Sequence, residues 1–276
     1  MKKDIIKSSK IWLDLFKEKI KKKNYIFKSN LAEKSFKSLN DDGFVKINVF
    51  DLQKDTHSLE LVNYFELIQK NFKSFEKKFS SLEQIINPAS RKADYQVRAV
   101  GTKFFDEFSD DFKHIIKINP FREILHNYFK NDLLNMQNDF WITFKNRSIK
   151  ERQASQRWHT DPEFHRVIKI FFYLEDVNEE NGPTEYIPKS FFLGKKNSLL
   201  LRLYNFPHIS SYYPEWFINF IYNKKNRHKI LAKKGDILIL NSTGVHRGGY
   251  LENGFRKLAI FSFTSSKSPY LKEIYI

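Results

Sequence analysis

His159 and Asp161 form a His-x-Asp step in this 276-residue sequence, and His246 stands far downstream beside a glycine-rich turn. Two neutral nitrogens and one anionic oxygen meeting on one face of an ion are what a non-haem Fe(II) centre with open positions requires. With eight histidines in the chain, a His-x-Asp step arises by accident often enough that the tripeptide alone decides little. Its surroundings carry more weight. Arg256, on the segment that follows His246, adds a planar, permanently charged fork. Such a fork suits the far carboxylate of a 2-oxo acid chelating the same ion, where a lysine would clamp more loosely.

Each of these residues lies beside a run that reads as a strand. Residues 167–174 are apolar, aromatic and β-branched and predict a buried strand just after Asp161. Residues 235–241 open on a Gly-Asp turn and predict a second strand before His246, and residues 257–263 predict a third after the turn through Asn253-Gly254. Both histidines therefore sit at strand ends, where a β scaffold can aim them at one point. Residues 136–144 predict the first long strand.

Helical spacing dominates the N-terminal half. Leu61, Phe65, Ile68, Phe72, Phe75 and Phe79 recur at three- and four-residue steps, predicting a helix over 58–86 with a core-facing stripe. Asn119-Pro120 opens a shorter one that runs to about Phe129. Residues 1–40 are basic, with Trp12, Leu13, Phe16 and Ile20 on one face. A helix packed on the body of the protein is expected there, and a membrane-surface helix is the alternative.

Composition limits the function classes. The absence of cysteine excludes a disulfide framework, zinc fingers and thiol chemistry, and fits a reducing compartment. Residues 1–7 lack the apolar stretch of a signal peptide, and no run approaches the ~20 apolar residues that span a bilayer. The sequence reads as cytoplasmic, with no membrane partner. A net charge of +16 invites a nucleic-acid reading, but lysine supplies most of the 48 basic residues, scattered in pairs with no recognisable binding module. A positive field that draws in a small anionic substrate fits better. Oligomeric state leaves no mark in the sequence.

The set His159, Asp161, His246 and Arg256, together with residues 173–183 and Lys234-Gly235-Asp236, resembles the phytanoyl-CoA dioxygenase (PhyH) family. Asp41-Asp42-Gly43-Phe44-Val45 is similar to the family's opening segment, so the likeness runs from about residue 36 to 264. The resemblance implies a mainly β fold with flanking helices, the double-stranded β-helix or jelly-roll (cupin) barrel. It also implies an oxygenase that uses Fe(II), 2-oxoglutarate and O2 to hydroxylate a C–H bond of a small molecule, with release of succinate and CO2. By the same resemblance His159, Asp161 and His246 bind iron, Arg256 binds the distal carboxylate of 2-oxoglutarate, and Phe171 lies against the co-substrate. Asp161 stands where halogenating relatives carry a small residue, which favours hydroxylation. Two departures stand out. The family's Pro-Gly-Ser-His turn is here Pro188-Lys189-Ser190-Phe191, so an altered turn is expected, and the hydroxyl residue often found two positions after the distal histidine is Gly248. A non-catalytic barrel that binds a metal or small molecule, and a basic nucleic-acid-binding protein, are the other classes in play.

One domain over 1–276 is expected: a mostly helical part over 1–130 packed on a barrel core over 131–265, with an insertion at about 199–231. Tyr204, Phe206, His208, Tyr212, Tyr213, Trp216 and Phe220 crowd that insertion, either shaping a substrate pocket or packing against the barrel. His57, His114, His126, His208 and His228 lack a partner at ligand spacing. His165, Arg166 and Lys169, just past the proposed ligands, are expected in an exposed loop, with substrate contact the alternative. Trp158 is expected to pack beside the metal.

Overall fold

The computed structural model describes residues 25–52, 56–80, 96–99, 110–130, 133–145, 152–161, 167–191, 200–201, 204 and 211–265. The helix face expected at Trp12, Leu13, Phe16 and Ile20, and the positions of His165, Arg166, Phe206 and His208, lie outside these residues.

The strands are β1 (Phe44–Asn48), β2 (Gln96–Arg98), β3 (Leu133–Phe144), β4 (His159–Thr160), β5 (Ile168–Tyr173), β6 (Thr184–Tyr186), β7 (Ser211–Tyr212), β8 (His228–Ile230), β9 (Asp236–Asn241), β10 (His246–Arg247) and β11 (Phe255–Ser265). They form two antiparallel sheets, a large one in the order β1-β9-β5-β11-β3-β2 and a small one in the order β7-β4-β10-β6-β8. From β3 to β6 and again from β8 to β11 the chain passes from one sheet to the other at every step. This is the jelly-roll winding, and it lays strands distant in sequence side by side.

Alternation along each long strand assigns its two faces. Ile168, Ile170 and Phe172 of β5, Ile237 and Ile239 of β9, and Ala259, Phe261 and Phe263 of β11 point away from the small sheet into a helix-covered core. Phe171, Tyr173, Leu238, Leu240, Leu258 and Ile260 point between the sheets and meet Tyr186 and Ile230 from the small one. Burial on both faces explains why these strands read as continuous apolar runs.

The outer core is sealed by α1 (Asn30–Asp41), α2 (Thr56–Ser80) and α3 (Phe121–Phe129). Ser29 caps α1 by accepting from the Ala32 amide, and the buried Ala32, Phe36 and Leu39 recur at helical steps. Helix α2 carries Leu61, Phe65, Ile68, Phe72 and Phe75 onto the large sheet, with the Phe72 ring 5.3 Å from Phe140 and Phe65 stacked on Phe172. Each such ring removed from water contributes roughly 1.5–3 kcal/mol, so these contacts hold the large sheet rigid behind the site.

Beyond the small sheet, α4 (Glu215–Ile221) packs Phe217 and Ile218 with Tyr213, Tyr222, Trp158, Ile187 and Val245. Trp158 and Val245 immediately precede the two histidines of interest.

Candidate metal centre

Strands β4 and β10 are hydrogen-bonded neighbours with His159 directly opposite His246. Side chains opposite one another in an antiparallel pair share a face, so both imidazoles project the same way; their centroids are 4.3 Å apart. Asp161 follows one turn of the pleat later, its amide held by Ser242 O at 3.0 Å. One ligand atom from each of His159, Asp161 and His246 falls within 4.8 Å of the others. The structure thus brings His246 to the His159-x-Asp161 step, from which most of the barrel separates it in sequence.

Both ring orientations are fixed from behind. His159 Nδ1 lies 2.8 Å from Arg157 O and His246 Nδ1 lies 2.9 Å from Gly244 O. A carbonyl oxygen only accepts, so each Nδ1 carries the hydrogen and each Nε2 keeps its lone pair for a metal. Burial, reinforced by His159, pushes the His246 imidazole down to about 3. Burial also lowers His159 against the opposing pull of Asp161. Burial alone would raise Asp161, but the Lys169 ammonium and the two imidazoles outweigh it and hold the carboxylate well below its ordinary range. Two neutral nitrogens and an anion are the donor set that suits a divalent iron.

Lys169 corrects the sequence reading. It is no exposed loop residue but lies in β5 on the inter-sheet face, its side chain 18% exposed and its Nζ 2.7 Å from Asp161 Oδ2. A lone charge inside an apolar run was the available signal.

Arg256 opens the interior face of β11, is 4% exposed, and donates to Gly182 O. Its guanidinium lies beside Gly248, where an added Cβ would stand 3.1 Å from Nη2. Tyr173 also faces this region; burial raises its phenol, opposed by the bond to Thr184 and the Arg256 charge. Phe171 is on the same inter-sheet face, two residues from Lys169 and opposite Ile260. His114, His126 and His228 are exposed.

The turn at residues 188–191 places a lysine, not a glycine, at a position of positive φ. Lys189 adopts φ 63°, the left-handed conformation that glycine takes freely, and Ser190 Oγ accepts from Val245 N at 2.8 Å while donating to Ile187 O at 2.6 Å. That serine anchors the residue before His246.

Behind both histidines lies a charged cluster that sequence reasoning missed. Glu185 opposes Arg247 across β6 and β10, and the guanidinium grips the carboxylate through two 2.8 Å bonds. Arg247 also reaches Glu215 of α4 at 2.9 Å and lies over the Trp158 ring at 4.1 Å; Trp158 Nε1 donates to the same carboxylate at 2.8 Å. Lone charges in short strands read as solvated until their partners are known.

The described aromatics of the insertion divide between burial and exposure. Tyr213 packs in the core with α4, while Tyr212, opposite His159 in register, stays 44% exposed with its ring 5.7 Å from that imidazole and the Arg157 guanidinium above it.

A jelly roll with two histidines and an aspartate converging at its small sheet defines the class as a double-stranded β-helix with a candidate metal site. The chain belongs to the phytanoyl-CoA dioxygenase (PhyH) family, whose model matches residues 63–257. Comparison by sequence with curated proteins gives no match. Solved structures share the fold. The epimerase SnoN in complex with Fe3+, alpha ketoglutarate and nogalamycin RO is 14% identical, covering 85% of this chain and 84% of its own, with a TM-score of 0.55. EctD from S. alaskensis, with 2-oxoglutarate and 5-hydroxyectoine, is 11% identical over 88% of this chain and 79% of its own, with a TM-score of 0.57. HygX from Streptomyces hygroscopicus, with nickel and 2-oxoglutarate bound, is 12% identical over 85% and 87%, with a TM-score of 0.52. No helix among the described residues is long and apolar enough to cross a membrane.

Proposed function

We propose that the chain is an Fe(II)- and 2-oxoglutarate-dependent oxygenase that hydroxylates a C–H bond of a small molecule, releasing succinate and CO2. The observation that carries this reading is the cluster of His159, Asp161 and His246, with both Nε2 lone pairs free for a metal, in a chain of the phytanoyl-CoA dioxygenase family.

In this reading the two imidazoles and the Asp161 carboxylate hold iron, which supplies O2 activation when 2-oxoglutarate and substrate are also bound. The Arg157 and Gly244 carbonyls keep the imidazoles in the ligating tautomer, and Lys169 pairs with one oxygen of the Asp161 carboxylate. Arg256 fixes the distal carboxylate of 2-oxoglutarate, and Phe171 walls the co-substrate from the inter-sheet core. The substrate enters past Tyr212 and Arg157, and the excess of basic residues favours an anionic one. The protein is read as one domain over 1–276, cytoplasmic, acting on a small molecule rather than on nucleic acid or membrane.

Anaerobic addition of Fe(II) and 2-oxoglutarate should produce a visible charge-transfer band, and admission of air with substrate candidates should release succinate. His159→Ala and Asp161→Ala should abolish both, and Arg256→Leu should chiefly raise the 2-oxoglutarate requirement. A wild-type protein that binds Fe(II) yet releases no succinate with any substrate would make it a non-catalytic barrel.

A further inference from the structure

Across the large sheet, Arg256 of β11 stands opposite Thr143 of β3, and Thr143 stands opposite Gln96 of β2. One pleat further along, the row is Leu258, Trp141 and Arg98. Leu258 and Trp141 pack between the sheets, so the alternate row formed by Arg256, Thr143 and Gln96 faces the same interior.

Two atoms of this row are left over. Thr143 is fully buried, and its Oγ1 has no hydrogen-bond partner among the described residues; the Nε2 of Gln96 is likewise buried without one. A buried hydroxyl or amide without a partner is costly, and an apolar residue of the same shape would avoid the cost. Their chemistry matches their neighbour's. Hydroxyl, amide nitrogen and guanidinium are all donors, and a row of donors converging beside a fixed cation is complementary to a carboxylate. Gly248 lies beside Arg256 and brings no side-chain donor, whereas Thr143 of β3 offers a hydroxyl that is not engaged by another described residue.

We infer that Thr143 Oγ1 and Gln96 Nε2 are binding groups for the distal carboxylate of the 2-oxo acid, forming with Arg256 a three-residue cradle. The inference rests on the reading that Arg256 holds that carboxylate. Arg256 supplies the charge, and Thr143 and Gln96 fix where along the strand row the carboxylate sits. The cradle therefore sets co-substrate length as well as affinity.

The test is anaerobic titration of the Fe(II)-loaded protein with 2-oxoglutarate, and with pyruvate, which has the same chelating end but no distal carboxylate. Binding is followed by calorimetry and by the charge-transfer band. Thr143→Val keeps the shape and removes the hydroxyl. It should weaken 2-oxoglutarate about tenfold and leave pyruvate unchanged, while Thr143→Ser restores most of the affinity. Gln96→Met should act in the same direction. Without ligand, Thr143→Val should melt no lower than wild type, since the hydroxyl it lacks had no partner. Equal 2-oxoglutarate affinity in wild type and Thr143→Val would overturn the inference while leaving the proposed function standing, and so would a parallel loss of 2-oxoglutarate and pyruvate. A wild-type protein that does not prefer 2-oxoglutarate to pyruvate would remove the Arg256 reading and this one with it.

Discussion

Replacing Arg247 with methionine removes the cation from a pair whose side chains are 9% and 8% exposed. Glu185 would then keep a buried charge that Arg152, 3.7 Å away and 36% exposed, compensates poorly. Breaking a buried, bidentate pair from one side costs about 3–5 kcal/mol, because the surviving ion stays out of water unpaired. For a domain of this size each kcal/mol lowers the melting temperature by about 2–4 °C, so Arg247→Met should melt ~6–20 °C below wild type. Replacing both partners, Glu185→Leu with Arg247→Met, leaves no ion stranded and should recover more than half of that loss. Thermal unfolding of the metal-free protein, followed by circular dichroism and completed as a double-mutant cycle, measures both numbers. A double variant no more stable than the single one would refute the argument, because the loss would then come from packing on Trp158 and not from an uncompensated charge.

Lys189→Gly should stabilise the protein by about 1 kcal/mol, since φ 63° strains a side chain and not a glycine; urea unfolding checks this, and a loss of stability would show that the contact of Lys189 with Asp42 matters more. Lys169→Met should destabilise the metal-free protein by leaving the Asp161 carboxylate buried without its ammonium, yet tighten Zn(II) or Fe(II) binding by removing a like charge from the site; the two effects separate in thermal melts with and without metal. With His246 lowered to about 3 by burial and by His159, the unfolded chain takes up a proton below pH ~6.5 that the folded chain refuses. Metal-free stability should therefore fall as pH drops from 6.5 toward 4, by up to about 1.4 kcal/mol per unit from this group, and His246→Gln should flatten that slope in pH-dependent melts. Phe172→Ala, which empties a ring stacked on Phe65 and touching Phe121 and Phe261, should cost about 3–5 kcal/mol in denaturant unfolding.

The long strands were legible because burial on both faces leaves an unbroken apolar signature: residues 167–174, 235–241 and 257–263 anticipate β5, β9 and β11 to within a few positions. The strands that carry the histidines were not. β4 and β10 are two residues each, too short for any periodicity, and they exist because neighbouring strands complete their ladders. His159, Asp161, His246 and Arg256 could be picked out from their types and spacing. Lys169, Glu185, Arg247 and Glu215 could not, because a charge reveals itself as buried only through a partner that is distant in sequence. Thr143 had no sequence signal at all; its significance lies in standing opposite Arg256.

Glu215 belongs to the insertion, yet its carboxylate is bonded to the side chains that immediately adjoin both histidines, Trp158 before His159 and Arg247 after His246. That segment is therefore not a detachable cassette. Anyone retargeting the enzyme by transplanting a foreign loop between β6 and β9 would also be editing the mounting of the proposed metal ligands, and a graft that omits an acid at this position should lose iron affinity before it acquires a new substrate.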